Sequence, residues 1–114
     1  MKPSKTYLGQ FEEIVLLATL NLSDAYGVTI RQAVEEALEK PVSIGAIYST
    51  LDRLERKGFM TSWQGDATAE RGGRAKRHFK VEGHGIRALK DNEAARVRLS
   101  TDRRRLNPLG EGIA

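Results

Sequence analysis

The segment from residue 43 to residue 58, SIGAIYSTLDRLERKG, most constrains what this chain can fold into. Its apolar residues recur at helical spacing and predict one α-helix with a single apolar stripe. The stripe consists of Ile44, Ile47, Leu51 and Leu54. Ser43 is placed to cap this helix, because a serine hydroxyl accepts a hydrogen bond from a free backbone amide. Gly58 is placed to end it, because glycine tolerates the left-handed conformation.

The opposite face of this helix is small and hydroxylated near its start and basic towards its end. It carries Gly45, Ala46, Ser49, Arg53 and Arg56, with Thr50 and Lys57 at its edge. A helix must be slim to enter a DNA major groove, and its N-terminal residues are the ones that reach base edges. By itself the pattern favours an ordinary amphipathic helix with a solvated charged face. The neighbouring segments therefore have to decide between the two interpretations.

Two further helices are predicted upstream. The first runs from about Gly9 to Leu22 and is apolar on nearly every side, so it needs burial on nearly every side. In so short a chain this predicts a partner subunit; the alternative is that the other helices and a hairpin cover it. The second helix runs from about Tyr26 to Glu39, and Pro41 closes it. The short connection from there to Ser43 predicts a helix-turn-helix.

Beyond Gly58 the period changes from helical to two. Residues 59–64 and 76–81 alternate in this way and predict two strands. The loop between them, GDATAERGGRA, is rich in glycine and carries Arg71 and Arg74. A helix-turn-helix followed by such a hairpin is a winged helix. The expected fold class is therefore mainly α with a small β-hairpin (α+β), in the form of a winged helix-turn-helix.

The domain organisation follows from these elements. Residues 1–7 are expected to be a flexible arm, residues 8–99 one winged-helix domain, and residues 100–114 a disordered tail without periodicity. A last helix over residues 83–99 is expected to serve dimerisation. Ile86, Leu89 and Val97 form its apolar stripe, and Glu93 on the same stripe needs a partner or water.

Charge is unevenly distributed along the chain. Lysine and arginine number 19 against 15 acidic residues, which gives a net charge of +4, and the pI is about 9.6. Residues 10–39 are mildly acidic, whereas residues 71–80 are basic. This asymmetry indicates a surface for a polyanion, although solubility alone would account for so small a net charge. We interpret the adjacent acids Glu12 and Glu13 as solvated charge on the first helix.

The sequence offers no catalytic, redox or metal site. The chain has no cysteine, and His78 and His84 lack the spacing of zinc ligands. Neither a phosphate-binding loop nor an activated nucleophile is recognisable. We therefore expect no enzymatic activity, no cofactor and no metal. A signal peptide and a run of about 18 apolar residues are both missing, so we expect a cytoplasmic protein without a membrane partner.

Two aromatic residues are candidates for contact with a ligand or with DNA. Tyr48 lies between the apolar stripe and the polar face, where its ring can pack while its hydroxyl reaches a phosphate. Trp63 is the sole tryptophan. We expect it to pack on the hairpin; the alternative is that it stacks on an apolar ligand.

Several segments in order resemble the PadR family of bacterial transcriptional regulators. The series over residues 6–99 is YLG, the apolar first helix, AYGVTI, VSIGAIYSTLDRLERKGFMTSW and AERGGRAKRHFKVEGHG. The resemblance implies a winged-helix DNA-binding domain, a homodimer built from the first and last helices, and a repressor that a small molecule or stress often releases. It also implies a phosphate contact for Tyr48 and a basic wing containing Arg74 and Lys76. Glu82 departs from the family, which usually has Thr or Ser there, and the chain is as short as the family's short branch.

These observations lead to one expected function, a dimeric sequence-specific DNA-binding regulator, most simply a repressor. Helix 43–57 would read the major groove of double-stranded DNA, and wing 64–77 would follow the backbone and minor groove. The expected DNA contacts are Ser43, Gly45, Ala46, Tyr48, Ser49, Thr50, Arg53, Arg71, Gly73, Arg74 and Lys76. The expected dimer contacts are Leu8, Phe11, Val15, Ile86, Leu89 and Val97. A winged helix that binds another protein instead of DNA is the alternative, and the identity of any small-molecule effector stays open.

Overall fold

The computed structural model describes residues 7–65 and 76–100, which form four helices and one two-stranded antiparallel sheet. In chain order the elements are α1 (Gln10–Asn21), α2 (Gly27–Leu38), α3 (Ile44–Arg56), β1 (Met60–Gln64), β2 (Arg77–Val81) and α4 (Gly83–Leu99). The expected fold class is confirmed, and each predicted helix or strand agrees with these bounds to within one residue at either end. Residues 1–6, 66–75 and 101–114 lie outside this description, and with them most of the predicted arm, the wing tip and nearly all of the tail.

The ends of α3 form as the sequence predicts. The Ser43 hydroxyl accepts a hydrogen bond from the backbone amide of Ala46 at 3.1 Å. Such a cap satisfies one of the amides that a helix leaves without a partner at its start. At the other end, Gly58 has a φ of +81°, a conformation that glycine adopts without strain. These two residues fix the length of α3.

The core lies where α1, α2, α3 and the hairpin meet. In the part of the chain that the structure describes, seven aliphatic side chains are completely excluded from solvent; they are Val15, Leu16, Ile30, Val34, Ile47, Leu51 and Leu54. Burying each side chain of this size stabilises the fold by about 1.5–3 kcal/mol. The α3 stripe therefore packs as predicted over most of its length. Ile44 at its start is the exception, with 36% of its surface exposed.

The hairpin is attached to the rest of the fold on two sides. Its register pairs Met60 with Val81 and Ser62 with Phe79, so that Met60, Phe79 and Val81 are buried. The Phe79 amide donates to the Ala25 carbonyl at 2.9 Å, and this bond joins β2 to the segment that precedes α2. The hairpin consequently has a fixed position relative to the helix-turn-helix.

Helix α4 returns across α1 and is fixed at two points. At its start, the Glu82 amide donates to the Phe59 carbonyl at 2.9 Å. Further along, the buried Asn92 side chain accepts from the Leu8 amide at 3.0 Å and donates to the Leu8 carbonyl at 3.1 Å. Within residues 7–65 and 76–100, no helix combines the length and the apolar character that crossing a membrane requires.

Candidate nucleic-acid interface

Helix α3 presents an exposed polar face that carries most of the expected reading residues. Ser43, Gly45, Tyr48 and Ser49 are exposed, and Ala46 is half-buried. A Cβ atom at Gly45 would have no neighbour within 4 Å, so the helix surface is open there. The polar face of the N-terminal half of α3 is therefore slim and open to solvent, whereas Ile47 on the opposite face is buried.

Thr50 does not lie on this face. Only 2% of its surface is exposed, and its hydroxyl points to the guanidinium of Arg53, with 3.5 Å between Oγ1 and Nη2. The sequence places Thr50 at the edge of the polar face. In the structure this edge is covered, and Thr50 is buried next to Leu51. Its expected placement among the exposed DNA-facing side chains was therefore wrong.

Tyr48 packs against the start of α2. A Cβ atom built on Gly27 would lie 2.2 Å from the Tyr48 hydroxyl oxygen and 2.5 Å from its Cζ atom, so only glycine leaves room for this ring. Tyr48 is nonetheless 36% exposed. The ring is thus held by the neighbouring helix while part of it remains at the surface, as the sequence pattern suggested for Tyr48.

Arg53 of α3 and Lys57, the residue that follows this helix, share one carboxylate from α1. Glu12 Oε2 accepts hydrogen bonds from Arg53 Nε and Lys57 Nζ, each at 2.9 Å, and Glu12 Oε1 accepts from the Gly9 amide at 3.0 Å. Burial by itself would raise the pKa of Glu12. The bonds from Lys57, Gly9 and Arg53 outweigh it and lower the pKa to about 2.

The interpretation of Glu12 and Glu13 as solvated charge was wrong. Each has only 8% of its surface exposed, and each pairs with a cation from another helix. Glu13 bonds to Arg96 of α4, with 2.6 Å between Oε1 and Nη1. Successive residues of a helix point in directions about 100° apart. The two neighbouring acids therefore connect α1 to α3 on one side and to α4 on the other.

Arg77 at the start of β2 connects the hairpin to α3. Its Nη1 atom lies 3.1 Å from Asp52 Oδ1, its Nη2 atom bonds to Glu55, and its Nε atom donates to the Ser62 hydroxyl at 3.1 Å. Asp52 and Glu55 belong to α3, whereas Ser62 belongs to β1. This cluster sets the base of the wing at a fixed distance from α3.

The expected wing contacts lie mostly outside the described residues. Arg71, Gly73 and Arg74 belong to the segment 66–75, whereas Lys76 lies at the edge of β2. The ammonium group of Lys76 sits 4.0 Å from the centre of the Tyr26 ring, in a cation–π contact. Lys76 is thereby held beside the N-terminus of α2.

Trp63 packs on the hairpin as expected. Its ring stacks on His78 of the opposite strand, with 5.6 Å between centroids and 20° between planes, although half of the Trp63 surface stays exposed. His78 Nδ1 also lies 3.1 Å from Asp24 Oδ1. The cleft beside these rings has a volume of about 430 Å³ and continues to Leu20 of α1 and Ile86 of α4. Among the described residues, no group of three or more potential ligands could hold a metal ion.

The expected dimer residues divide into two groups. Leu8, Val15 and Leu89 are buried in the chain's own core, and Phe11 is half-buried, whereas Ile86 and Val97 are 37% and 63% exposed. Leu8, Val15 and Leu89 therefore have little surface left for contact with a second copy, because they pack in the core of the chain itself. The exposed large apolar residues of α1 and α4 are Leu17, Leu20, Ile86, Val97 and Leu99.

Sequence reasoning did not assign a site role to Glu12, Lys57 or Arg56. Lys57 and Arg56 are exposed near the C-terminal end of α3, and the helical pattern had placed both on or beside its polar side. The role of Glu12 has no local signal, because its partners are 41 and 45 residues away in the chain.

Comparisons with known proteins agree with this architecture. The chain is similar to a PadR-like transcription factor from Bacteroides fragilis, with 26% identity, a TM-score of 0.71, and coverage of 82% of this chain and 85% of that one. RosR from H. salinarum is similar in fold at 22% identity and a TM-score of 0.69, with 93% of each chain covered. A PadR-like regulator from Bacillus cereus is similar in fold at 19% identity and a TM-score of 0.67, with 90% and 92% covered.

No match was found among curated proteins. The model of the transcriptional regulator PadR-like family matches residues 16–91, which include the second half of α1, all of α2, α3 and the hairpin, and the first half of α4. The family and its structural relatives are transcriptional regulators rather than enzymes. On these grounds, this chain belongs to the PadR-like family of transcriptional regulators.

Proposed function

We propose that the protein is a homodimeric, sequence-specific DNA-binding regulator that acts as a repressor in the cytoplasm. Helix α3 enters the major groove of double-stranded DNA, and the wing lies along the backbone and minor groove. The observation that carries this proposal is the exposed face of α3, which is small at its N-terminal end and cationic at its C-terminal end.

The order of residues on this face matches the needs of groove binding. Gly45 and Ser49 keep the surface slim where the helix approaches base edges most closely. Arg56 and Lys57 are exposed about two turns beyond Ser49, where they meet phosphates. Tyr48 supports the same docking geometry, because its ring is fixed against Gly27 and its hydroxyl donates to a phosphate oxygen. A helix face that docked on another protein would require neither the slim start nor the cations.

The proposed dimer rests on the apolar residues that α1 and α4 leave exposed. Leu17 and Leu20 on α1 and Ile86 and Val97 on α4 are each at least 37% exposed, and a second copy would remove them from water. A twofold-symmetric dimer binds a palindromic site whose half-sites lie one helical turn, or a multiple of it, apart. A small-molecule effector remains a prediction from the family resemblance.

Selection of duplexes from a random library, followed by binding titrations, tests the proposal. We expect an enriched palindromic sequence, a dimer at micromolar concentration in sedimentation, and an affinity that falls steeply with salt. Recovery of no sequence preference, or a clean monomer, would contradict it.

The wing has its own test in Arg74→Ala. One phosphate contact contributes about 0.9 to the magnitude of the slope of log affinity against log salt, so the slope should flatten by about one unit for every duplex. Arg98→Ala removes the same charge near the end of α4 and is the matched control. Identical slopes for wild type and Arg74→Ala would mean that the wing stays off DNA, and would favour the protein-binding alternative.

A further inference from the structure

Glu12 is the buried member of a three-residue cluster at the exposed cationic end of α3. Its side chain is 10% exposed, whereas those of Arg53 and Lys57 are 43% and 37% exposed. The same carboxylate oxygen accepts from both cations at 2.9 Å. The carboxylate therefore lies beneath two cations whose outer surfaces face solvent.

The contact fixes the orientation of the Arg53 guanidinium. A guanidinium is planar and carries one N–H on Nε and two on each Nη atom. Arg53 Nε donates its hydrogen to Glu12, which leaves the Nη atoms to bind other acceptors. Within the chain, Nη2 has only a long contact of 3.5 Å to Thr50 Oγ1 among the described hydrogen bonds. The edge that carries the Nη atoms is the part of arginine that binds O6 and N7 of guanine in a bidentate manner. Lost rotamer freedom is a main cost of ordering a long side chain on binding, and Glu12 removes much of it in advance.

The cluster also has a lower charge than its two cations would have alone. One carboxylate against two cations leaves a net charge of +1. Attraction to phosphates, which is the same for every sequence, is correspondingly weaker. A carboxylate in this place therefore lowers binding to any duplex while it favours an oriented contact to one base pair.

We propose that Glu12 is a positioning residue for sequence discrimination, which holds Arg53 for base contact and limits non-specific attraction to the backbone. This inference rests on the proposed DNA-binding function. It assigns to α1, a helix that does not itself enter the groove, a direct influence on what α3 reads. Glu13 gives no such influence, because it bonds to α4 instead of α3.

The test compares Glu12→Gln with Glu13→Gln. Both variants remove one negative charge from adjacent, equally buried positions of α1. Fluorescence anisotropy measures the affinity for the duplex selected by the wild type and for a random duplex of equal length, over a series of salt concentrations. For Glu12→Gln we expect tighter binding to the random duplex, a steeper salt slope by up to about one unit, and a roughly tenfold fall in the ratio of the two affinities.

Glu13→Gln should keep the wild-type ratio, because Arg53 retains its carboxylate. In an Arg53→Ala background, Glu12→Gln should no longer change the ratio, since Glu12 acts through that side chain. An unchanged ratio in Glu12→Gln, or an equal loss in Glu13→Gln, would overturn the inference.

Thermal unfolding establishes that each variant is folded at the assay temperature. If Glu12→Gln is unfolded, Lys57→Gln is measured in its place. This variant keeps the Glu12–Arg53 bond, so the ratio of the affinities for the selected and the random duplex should persist while the salt slope flattens. Loss of the ratio in Lys57→Gln would overturn the inference. If the wild type bound every duplex equally well, the proposed function itself would be refuted. If the wild type preferred its selected duplex and Glu12→Gln preferred it equally, only the inference about Glu12 would be refuted.

Discussion

Replacement of Gly85 by alanine should destabilise the fold strongly, because the first turn of α4 touches the backbone of the residue that precedes β1. A Cβ atom at Gly85 would lie 2.3 Å from the Phe59 carbonyl oxygen and 2.9 Å from Val81 Cγ1. Restoring even 3.0 Å to the carbonyl requires a shift of at least 0.7 Å. The carbonyl cannot turn away freely, since it accepts the Glu82 amide at 2.9 Å.

The expected cost has two parts. Forcing an extra carbon into a closely packed contact costs about 1–3 kcal/mol. Weakening the bond from Glu82 to Phe59 adds about 1 kcal/mol. The free energy of unfolding should therefore fall by roughly 2–4 kcal/mol, which for a domain of this size lowers Tm by on the order of 10 °C or more.

Gly83→Ala is the matched control for this measurement. It lies in the same turn of α4, and a Cβ atom there would have no neighbour within 4 Å. Both variants change the unfolded chain alike, so the difference between them isolates the contact with Phe59. Urea and thermal unfolding followed by circular dichroism, at one protein concentration, give the two free energies. If Gly85→Ala unfolded at the same midpoint as Gly83→Ala, the close approach of α4 to β1 would be refuted.

Three further predictions concern single contacts. Gly27→Ala should leave the fold intact, because the ring of Tyr48 can rotate away at a cost of about 0.5–1.5 kcal/mol. The displaced ring should weaken DNA binding in anisotropy titrations. Unchanged affinity would mean that Tyr48 makes no contact with DNA. Asn92→Leu removes both hydrogen bonds to Leu8 and leaves the buried backbone amide and carbonyl of Leu8 without these partners. Urea unfolding should therefore show a fall of about 1–3 kcal/mol in the free energy of unfolding. An unchanged free energy would count against these two hydrogen bonds. Glu12 stays ionised to about pH 2 in the folded chain but takes up a proton near pH 4.5 when unfolded, so stability should fall as the pH drops from about 4.5 to 2. Glu12→Gln should remove on the order of 2 kcal/mol of that pH dependence, and an equally steep profile in the variant would show that Glu12 is not its source.

The limits of helices and strands could be read from the sequence because local chemistry sets them. Ser43 caps α3, Gly58 adopts a positive φ after it, and the change of period after Gly58 marks the strands. Each of these signals depends on residues within one or two turns of each other. The same holds for the polar side of α3, where the sequence correctly placed Gly45 and Ser49 at the surface.

The burial of α1 could not be read from its sequence. A helix that is apolar on nearly every side gives no indication of which side its own chain covers. The structure buries Val15 and Leu16 and leaves Leu17 and Leu20 exposed, because α2, α3 and the hairpin all pack on one side. The exposed side of α1 is thus a result of helix packing.

The sequence by itself determined the order of elements, the position of α3 and the membership of the PadR-like family, since periodicity, caps and motifs are local properties of the chain. Only the tertiary structure decided that Thr50 is buried, that Glu12 pairs with Arg53 and Lys57, and that Glu13 pairs with Arg96. Those partners are 41 to 83 residues apart in the chain. Their contacts depend on how the helices are placed against one another, and packing of the whole core fixes that placement.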